Sequence, residues 1–143
     1  MENNSIFVEK LRSSGLRPTK QRIKICKLLF DRKKTFHFTI NDLSKTLKKE
    51  NIKQISLATI YNTVHSFKKK GYLKEISVNR EKSYFDTNTS DNHHFLDIKT
   101  NELIDLKKED VDKINIKKNL PGKKITSIEV LVNIENNNYS QKY

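Results

Sequence analysis

Only one cysteine, Cys26, occurs in the 143 residues of this chain. An intramolecular disulfide and a multi-cysteine zinc knot are therefore both excluded. The three glycines, Gly15, Gly71 and Gly122, lie far apart. That spacing excludes a P-loop or a dinucleotide fingerprint, which need clustered glycines beside phosphates. No apolar run approaches the ~18 residues of a membrane span, and no signal-peptide-like stretch follows Met1. Hydrophobic residues, at 34%, barely outnumber charged ones, at 32%, so the core must be lean. These absences predict a small, soluble, cytoplasmic protein with no membrane partner.

What the chain has in excess is positive charge: 29 Lys and Arg against 17 Asp and Glu, a net +12. Its placement matters more than its total. Residues 1–84 carry 20 basic and 7 acidic side chains, whereas residues 85–143 carry 9 and 10. A bias from an AT-rich genome would raise both segments alike. Concentration in one segment points to a polyanion-binding domain joined to something else.

Hydrophobic spacing predicts a first helix over Ser5–Arg12, ended by Gly15, and a second opened by Thr19, with Cys26 as a buried apolar residue. Thr39-x-x-Asp42 is a capping-box pattern for a third helix. Ser56 caps a fourth, with Leu57, Ile60, Tyr61, Val64 and Phe67 as its apolar stripe and Gly71 as its end. The period then shifts towards 2, giving short strands over Leu73–Val78 and Lys82–Asp86. Helices followed by a basic hairpin describe a winged helix-turn-helix, a fold built for duplex DNA. The exposed N-terminal face of the fourth helix is read as Ser56, Ala58, Thr59, Asn62 and Thr63, small groups able to approach base edges. His65, on the same helix, reads as a surface or phosphate-facing residue.

A polar linker over 87–91 precedes a second unit over 92–135, with a flexible tail over 136–143. The second unit is expected to hold strands over His93–Ile98 and Glu102–Leu106. A helix through Val111, Ile114 and Ile116 and an alternating strand over Ile125–Ile134 follow. Such a small unit needs disulfides, a metal or association to be stable. With disulfides excluded, a homodimer is the economical answer, and a palindromic DNA operator would match its symmetry. The fold class is thus α+β: an N-terminal winged-helix DNA-binding domain over 1–86 and a small C-terminal α/β dimerisation domain.

These residues resemble the ferric uptake regulator family of bacterial transcription factors. Gly15-Leu16-Arg17-Pro18-Thr19 with Gln21-Arg22 is similar to the family's opening, and Ser56-Leu57-Ala58-Thr59-Ile60-Tyr61 to its recognition helix. Tyr61-Asn62-Thr63, the stretch from Phe85 to Phe95 and Asn101-Glu102-Leu103-Ile104-Asp105 resemble the family's iron response regulator branch. The family's usual Cys-x-x-Cys pair falls here on Asp97 and Thr100, so a structural four-cysteine zinc site is impossible. The branch's three consecutive histidines appear as Asn92-His93-His94, an amide replacing one imidazole, and its Cys-Pro haem motif is missing.

The resemblance implies that Arg17 reaches a minor-groove or phosphate site and that Tyr61 and Asn62 read the major groove, beside Ser56, Ala58 and Thr59. It implies a regulatory metal site drawn from His37, Asp86, His93, His94 and Asp105. Imidazole and carboxylate together suit Fe2+, Mn2+ or zinc. Haem on His93 or His94 is the other cofactor it suggests. The function expected is a dimeric, sequence-specific DNA-binding transcriptional regulator, a repressor in type, of iron homeostasis, responding to iron or haem. A sensor of peroxide or manganese on the same fold is the alternative, and a general nucleic-acid-binding protein a further one. A metalloenzyme is disfavoured because nothing positions a nucleophile or general base and no His-Glu-x-x-His occurs.

Overall fold

The computed structural model describes residues 4–50 and 54–137, in two units, Met1–Thr89 and Ser90–Tyr143. The first opens with α1 (Ser5–Ser13), α2 (Lys20–Phe30), β1 (His37–Phe38), α3 (Ile40–Lys49) and α4 (Leu57–Lys70). It closes with the hairpin β2 (Lys74–Ser77) and β3 (Ser83–Asp86). Each helix start has a local cause. Thr39 accepts the Asp42 N–H while the Asp42 carboxylate accepts the Thr39 N–H, a complete capping box. Thr19 and Ser56 cap α2 and α4 by accepting the N–H of Arg22 and Thr59.

Gly71 ends α4 with φ +98°, and a Cβ there would touch nothing within 4 Å. The cost of Gly71→Ala is therefore backbone strain alone, expected at about 1–2 kcal/mol in denaturant unfolding. The three lysines at 68–70 complement the helix's negative end. Lys68 also binds Glu75 of β2 at 2.6 Å. Burial works to raise the Glu75 carboxyl, but hydrogen bonds from Lys68 and Ser83 outweigh it and the group is held below the usual range.

Leu11, Ile25, Leu29, Phe38, Leu43, Leu47, Ile60, Val64, Phe67 and Phe85 form one core. Two corrections arise on α4. Leu57 and Tyr61 are more than half exposed, so they are not in the apolar stripe. Thr63 is fully buried, not on the exposed face. Its methyl fills the stripe and its hydroxyl donates to the Thr59 carbonyl at 2.7 Å, which removes the cost of burying it. The wing sheet also gains an unforeseen edge: β1 pairs antiparallel with β3, giving the order β1-β3-β2. Thr87 is tied to this unit, exchanging hydrogen bonds with Phe36.

The second unit is a mixed sheet in the order β5-β4-β6, built from β4 (His93–Asp97), β5 (Leu103–Leu106) and β6 (Leu131–Ile134). Asp97 accepts the Thr100 and Lys99 N–H groups in the β4–β5 turn, which lowers its pKa in that order of effect. Asn101 supplies the left-handed residue there. The helix expected through Val111, Ile114 and Ile116 is absent; a single 3-10 turn, Lys108–Asp110, precedes an irregular stretch. All three are β-branched, stiff in a helix, and no cap opens the segment. The strand expected from Ile125 begins only at Leu131, where β4 offers parallel partners from His94 to Asp97. Of the expected tail, residues 138–143 lie outside the described ones.

Buried apolar side chains of the second unit are only Leu96, Leu103 and Leu106 among the described residues. Ile98, Ile104, Ile116, Leu120, Ile125 and Leu131 are exposed. No helix among the described residues is long and apolar enough to cross a membrane.

Candidate nucleic-acid interface and metal ligands

The first unit presents α4 and the wing. Ala58, Tyr61 and Asn62 lie exposed on the outward side of α4, with Arg17 exposed in the turn before α2. The Arg17 carbonyl accepts a hydrogen bond from the Arg22 guanidinium at 3.0 Å, which fixes that turn. Ser56 and Thr59 share a 3.0 Å hydroxyl contact within the cap, so their side chains hold the helix start before they hold anything else. At the wing tip Asn79 Oδ1 accepts the N–H groups of Glu81 and Lys82, leaving Arg80 exposed. His65 is not a surface residue: it is half-buried between the rings of Tyr61 and Phe85.

Cys26 is fully buried in the core. Burial pushes its thiol up from the ordinary 9.0 to about 11, against a smaller lowering by Lys10. A thiol this reluctant to ionise is neither a nucleophile nor a redox sensor. The unfolded chain ionises it first, so its contribution to stability is complete below pH 9 and lost as pH rises towards 11. The expected loss is on the order of 2–3 kcal/mol. Denaturant unfolding of parent and Cys26→Val across pH 8–11 checks this, the variant lacking that part of the alkaline decline.

Candidate metal ligands occur as two pairs, one in each unit, built alike. His37 of β1 and Asp86 of β3 are antiparallel register partners. His94 of β4 and Asp105 of β5 are register partners too, with Nε2 and Oδ1 3.4 Å apart. Directly opposed residues in an antiparallel ladder project from the same face, which presents an imidazole and a carboxylate together. Asp86 and His94 are buried, His37 half-buried and Asp105 exposed.

The state of each ring nitrogen separates the two adjacent histidines. His93 Nδ1 accepts the Val130 N–H at 2.9 Å, so its proton sits on Nε2 and neither nitrogen offers a lone pair. Strand alternation also turns His93 to the opposite face from His94. His94 Nε2 faces the Asn92 amide Nδ2 at 3.2 Å. Asp105 Oδ1 lies 3.4 Å from the same nitrogen, so an amide and a carboxylate both face the ring edge that a metal would use. The donor chemistry of the two pairs, borderline nitrogen with hard oxygen, fits Fe2+, Mn2+ or Zn2+. Nothing in the sequence pattern signalled that Asn92 contacts His94.

A winged-helix unit joined to a small sheet unit, each carrying one imidazole–carboxylate pair, defines the class of metal-responsive DNA-binding proteins. Residues 13–133 match the model of the ferric uptake regulator family, and the chain belongs to that family. The peroxide-responsive repressor PerR of Staphylococcus epidermidis is 31% identical over 107 residues, 75% of this chain and 69% of that protein. The peroxide operon regulator of Bacillus subtilis is 30% identical over 107 residues, 75% and 72% of the two chains. The ferric uptake regulator from Pseudomonas aeruginosa with manganese shares the fold, with a TM-score of 0.66 over 92% of this chain and 98% of that one at 20% identity. That of Vibrio cholerae gives 0.63 over 89% and 98% at 19% identity. Members of the family are dimeric transcription regulators that bind DNA and divalent metals, not enzymes.

Proposed function

We propose that this chain is a homodimeric repressor-type regulator that binds a palindromic duplex operator when one Fe2+ or Mn2+ ion is held by His37, Asp86, His94 and Asp105. The observation that carries it is the duplicated construction, a cross-strand imidazole–carboxylate pair in each unit. Each pair would be half of a tetradentate set, and an ion shared by both would tie the DNA-reading unit to the second unit. Residues 1–86 form the DNA-binding domain in this reading, 87–91 the hinge and 92–135 the dimerisation domain. Ligand binding then acts through its differential affinity for dimers that fit or misfit successive major grooves.

The effector follows from titration. Two relatives are named for peroxide response, which favours a metal-centred peroxide signal over iron supply. The sequence from Phe85 to Phe95 favours the iron response regulator branch and haem on one of the two adjacent histidines, of which His94 is the better placed because His93 Nδ1 is held by Val130. Full-length protein is titrated with Mn2+, Fe2+ without oxygen, and haem, while its affinity is read on a duplex selected from a randomised pool. Tighter binding with Mn2+ or Fe2+ supports the metal reading; loss of DNA binding on adding haem, with a Soret band removed by His93→Ala/His94→Ala, supports the haem reading. No response to any of the three overturns both.

In the same assay Arg17→Ala is expected to weaken all duplexes and flatten the salt dependence, because a phosphate contact carries no base information. Asn62→Ala is expected to alter preference among sites by about 1–3 kcal/mol. If both variants match the parent on every duplex, the interface lies elsewhere.

A further inference from the structure

Five aromatic rings run in a row through the first unit. Ring centroids lie 5.4 Å apart for Phe36 and Phe38, 6.0 Å for Phe38 and Phe85, 5.4 Å for Phe85 and His65, and 4.0 Å for His65 and Tyr61. The first three rings belong to β1, its approach and β3. The last two stand one turn apart on α4. His65 meets the Phe85 ring edge-on, at an interplanar angle of 81°, and lies tilted by 37° on Tyr61. The row therefore begins inside the wing sheet and ends on a tyrosine that is 52% exposed.

An exposed tyrosine with nothing beneath it samples several rotamers, and fixing one of them on binding costs affinity. The imidazole at position 65 removes that freedom before DNA arrives. The geometry points to His65 as a positioning residue for Tyr61: it braces the tyrosine ring against Phe85 of the wing sheet, so that Tyr61 meets the base edges in one pose. This inference rests on the reading of Tyr61 as a DNA contact. It assigns His65 a role other than phosphate binding, its ring being half-buried between Tyr61 and Phe85. Lysine or alanine at this position would keep the helix but provide no ring for Tyr61 to stack on. The Glu75 carboxylate of β2 lies within electrostatic reach of His65, so the test must separate stacking from charge.

Full-length parent, His65→Ala, His65→Phe, Tyr61→Ala and the Tyr61→Ala/His65→Ala double variant are compared on a duplex selected by the parent from a randomised pool, and on a scrambled duplex. His65→Ala is expected to weaken the selected duplex about three- to tenfold and leave the scrambled one unchanged. His65→Phe, which keeps a ring and removes the ionisable nitrogens, is expected to stay within about twofold of the parent. In the Tyr61→Ala background the alanine at 65 should add nothing, because the group it positions is gone. Thermal unfolding of each variant identifies a loss that comes from misfolding, and the His65→Phe comparison survives it. An unchanged affinity in His65→Ala, or the same penalty with and without Tyr61, overturns the proposal. If the parent selects no sequence at all, the DNA reading itself falls and takes the proposal with it. If it selects one and Tyr61→Ala binds it normally, only the role of Tyr61 and of its brace is lost.

Discussion

His94→Ala is expected to abolish the metal dependence of DNA binding, with a fall in metal affinity of roughly 100-fold or more. Loss of groups that merely orient a ligand already costs 10–100-fold, and His94 would be a ligand itself. Its Nε2 faces the Asn92 amide at 3.2 Å and Asp105 Oδ1 at 3.4 Å, so the ring is already oriented by two neighbours. A metal at Nε2 would take the place of the Asn92 N–H, with the adjacent Asp105 carboxylate as a further oxygen ligand. His93→Ala should behave differently, because His93 Nδ1 is committed to Val130. That variant is expected to destabilise the second unit while leaving the metal affinity of the folded fraction within about threefold of the parent. Isothermal titration with Mn2+, paired with thermal unfolding, separates the two. Equal metal affinity in parent and His94→Ala would remove His94 from the site.

Asn92 then acquires a physical role that its place in the sequence did not reveal. As an amide it is a poorer transition-metal partner than imidazole, and its N–H competes for the lone pair the metal needs. Both effects lower affinity in the same direction.

Helix starts and stops were legible because they are local. Thr39 with Asp42, Ser56 with Thr59, and Gly71 each settle a boundary within four residues of chain. The stripe of α4 was misread at Tyr61 and Thr63 because side-chain polarity alone ranks a tyrosine ahead of a threonine for burial. The 2.7 Å hydroxyl bond to Thr59 reverses that ranking, and it exists only once the helix is formed. Strand β1 spans two residues and owes its existence to β3, nearly fifty residues away. No local pattern could signal it. The candidate ligands His37, Asp86, His94 and Asp105 were reached through family resemblance. Their cross-strand pairing, and the separation of His93 from His94 by face and tautomer, needed the ladder register.

The second unit poses the complementary problem, since its sequence suggested a helix and a long strand that the fold does not contain. Three buried leucines cannot stabilise a unit of this size, whereas six exposed isoleucines and leucines await cover. Ile128 and Val130, within the strand expected over Ile125–Ile134, are only half-buried and lie before β6 begins. The exposed apolar residues nearest the sheet are Ile104 on β5 and Leu131 on β6, the two edge strands. Association of two copies would bury them, and it would pair two recognition helices for a palindromic site.

The double variant Ile104→Lys/Leu131→Lys is accordingly expected to sediment as a monomer under conditions where the parent is a dimer. Its affinity for the palindrome should fall by about 100-fold or more, because the second half-site contact is no longer intramolecular. Binding to an isolated half-site should change far less, since the first unit, with its own core, is untouched. The lysines add positive charge, which would favour DNA non-specifically, so a loss of affinity cannot be ascribed to electrostatics. Sedimentation velocity across a concentration series and anisotropy on whole and half sites provide the two readings. A parent that stays monomeric at every concentration, or a lysine variant that still binds the palindrome as tightly as the parent, would place the dimer contact elsewhere.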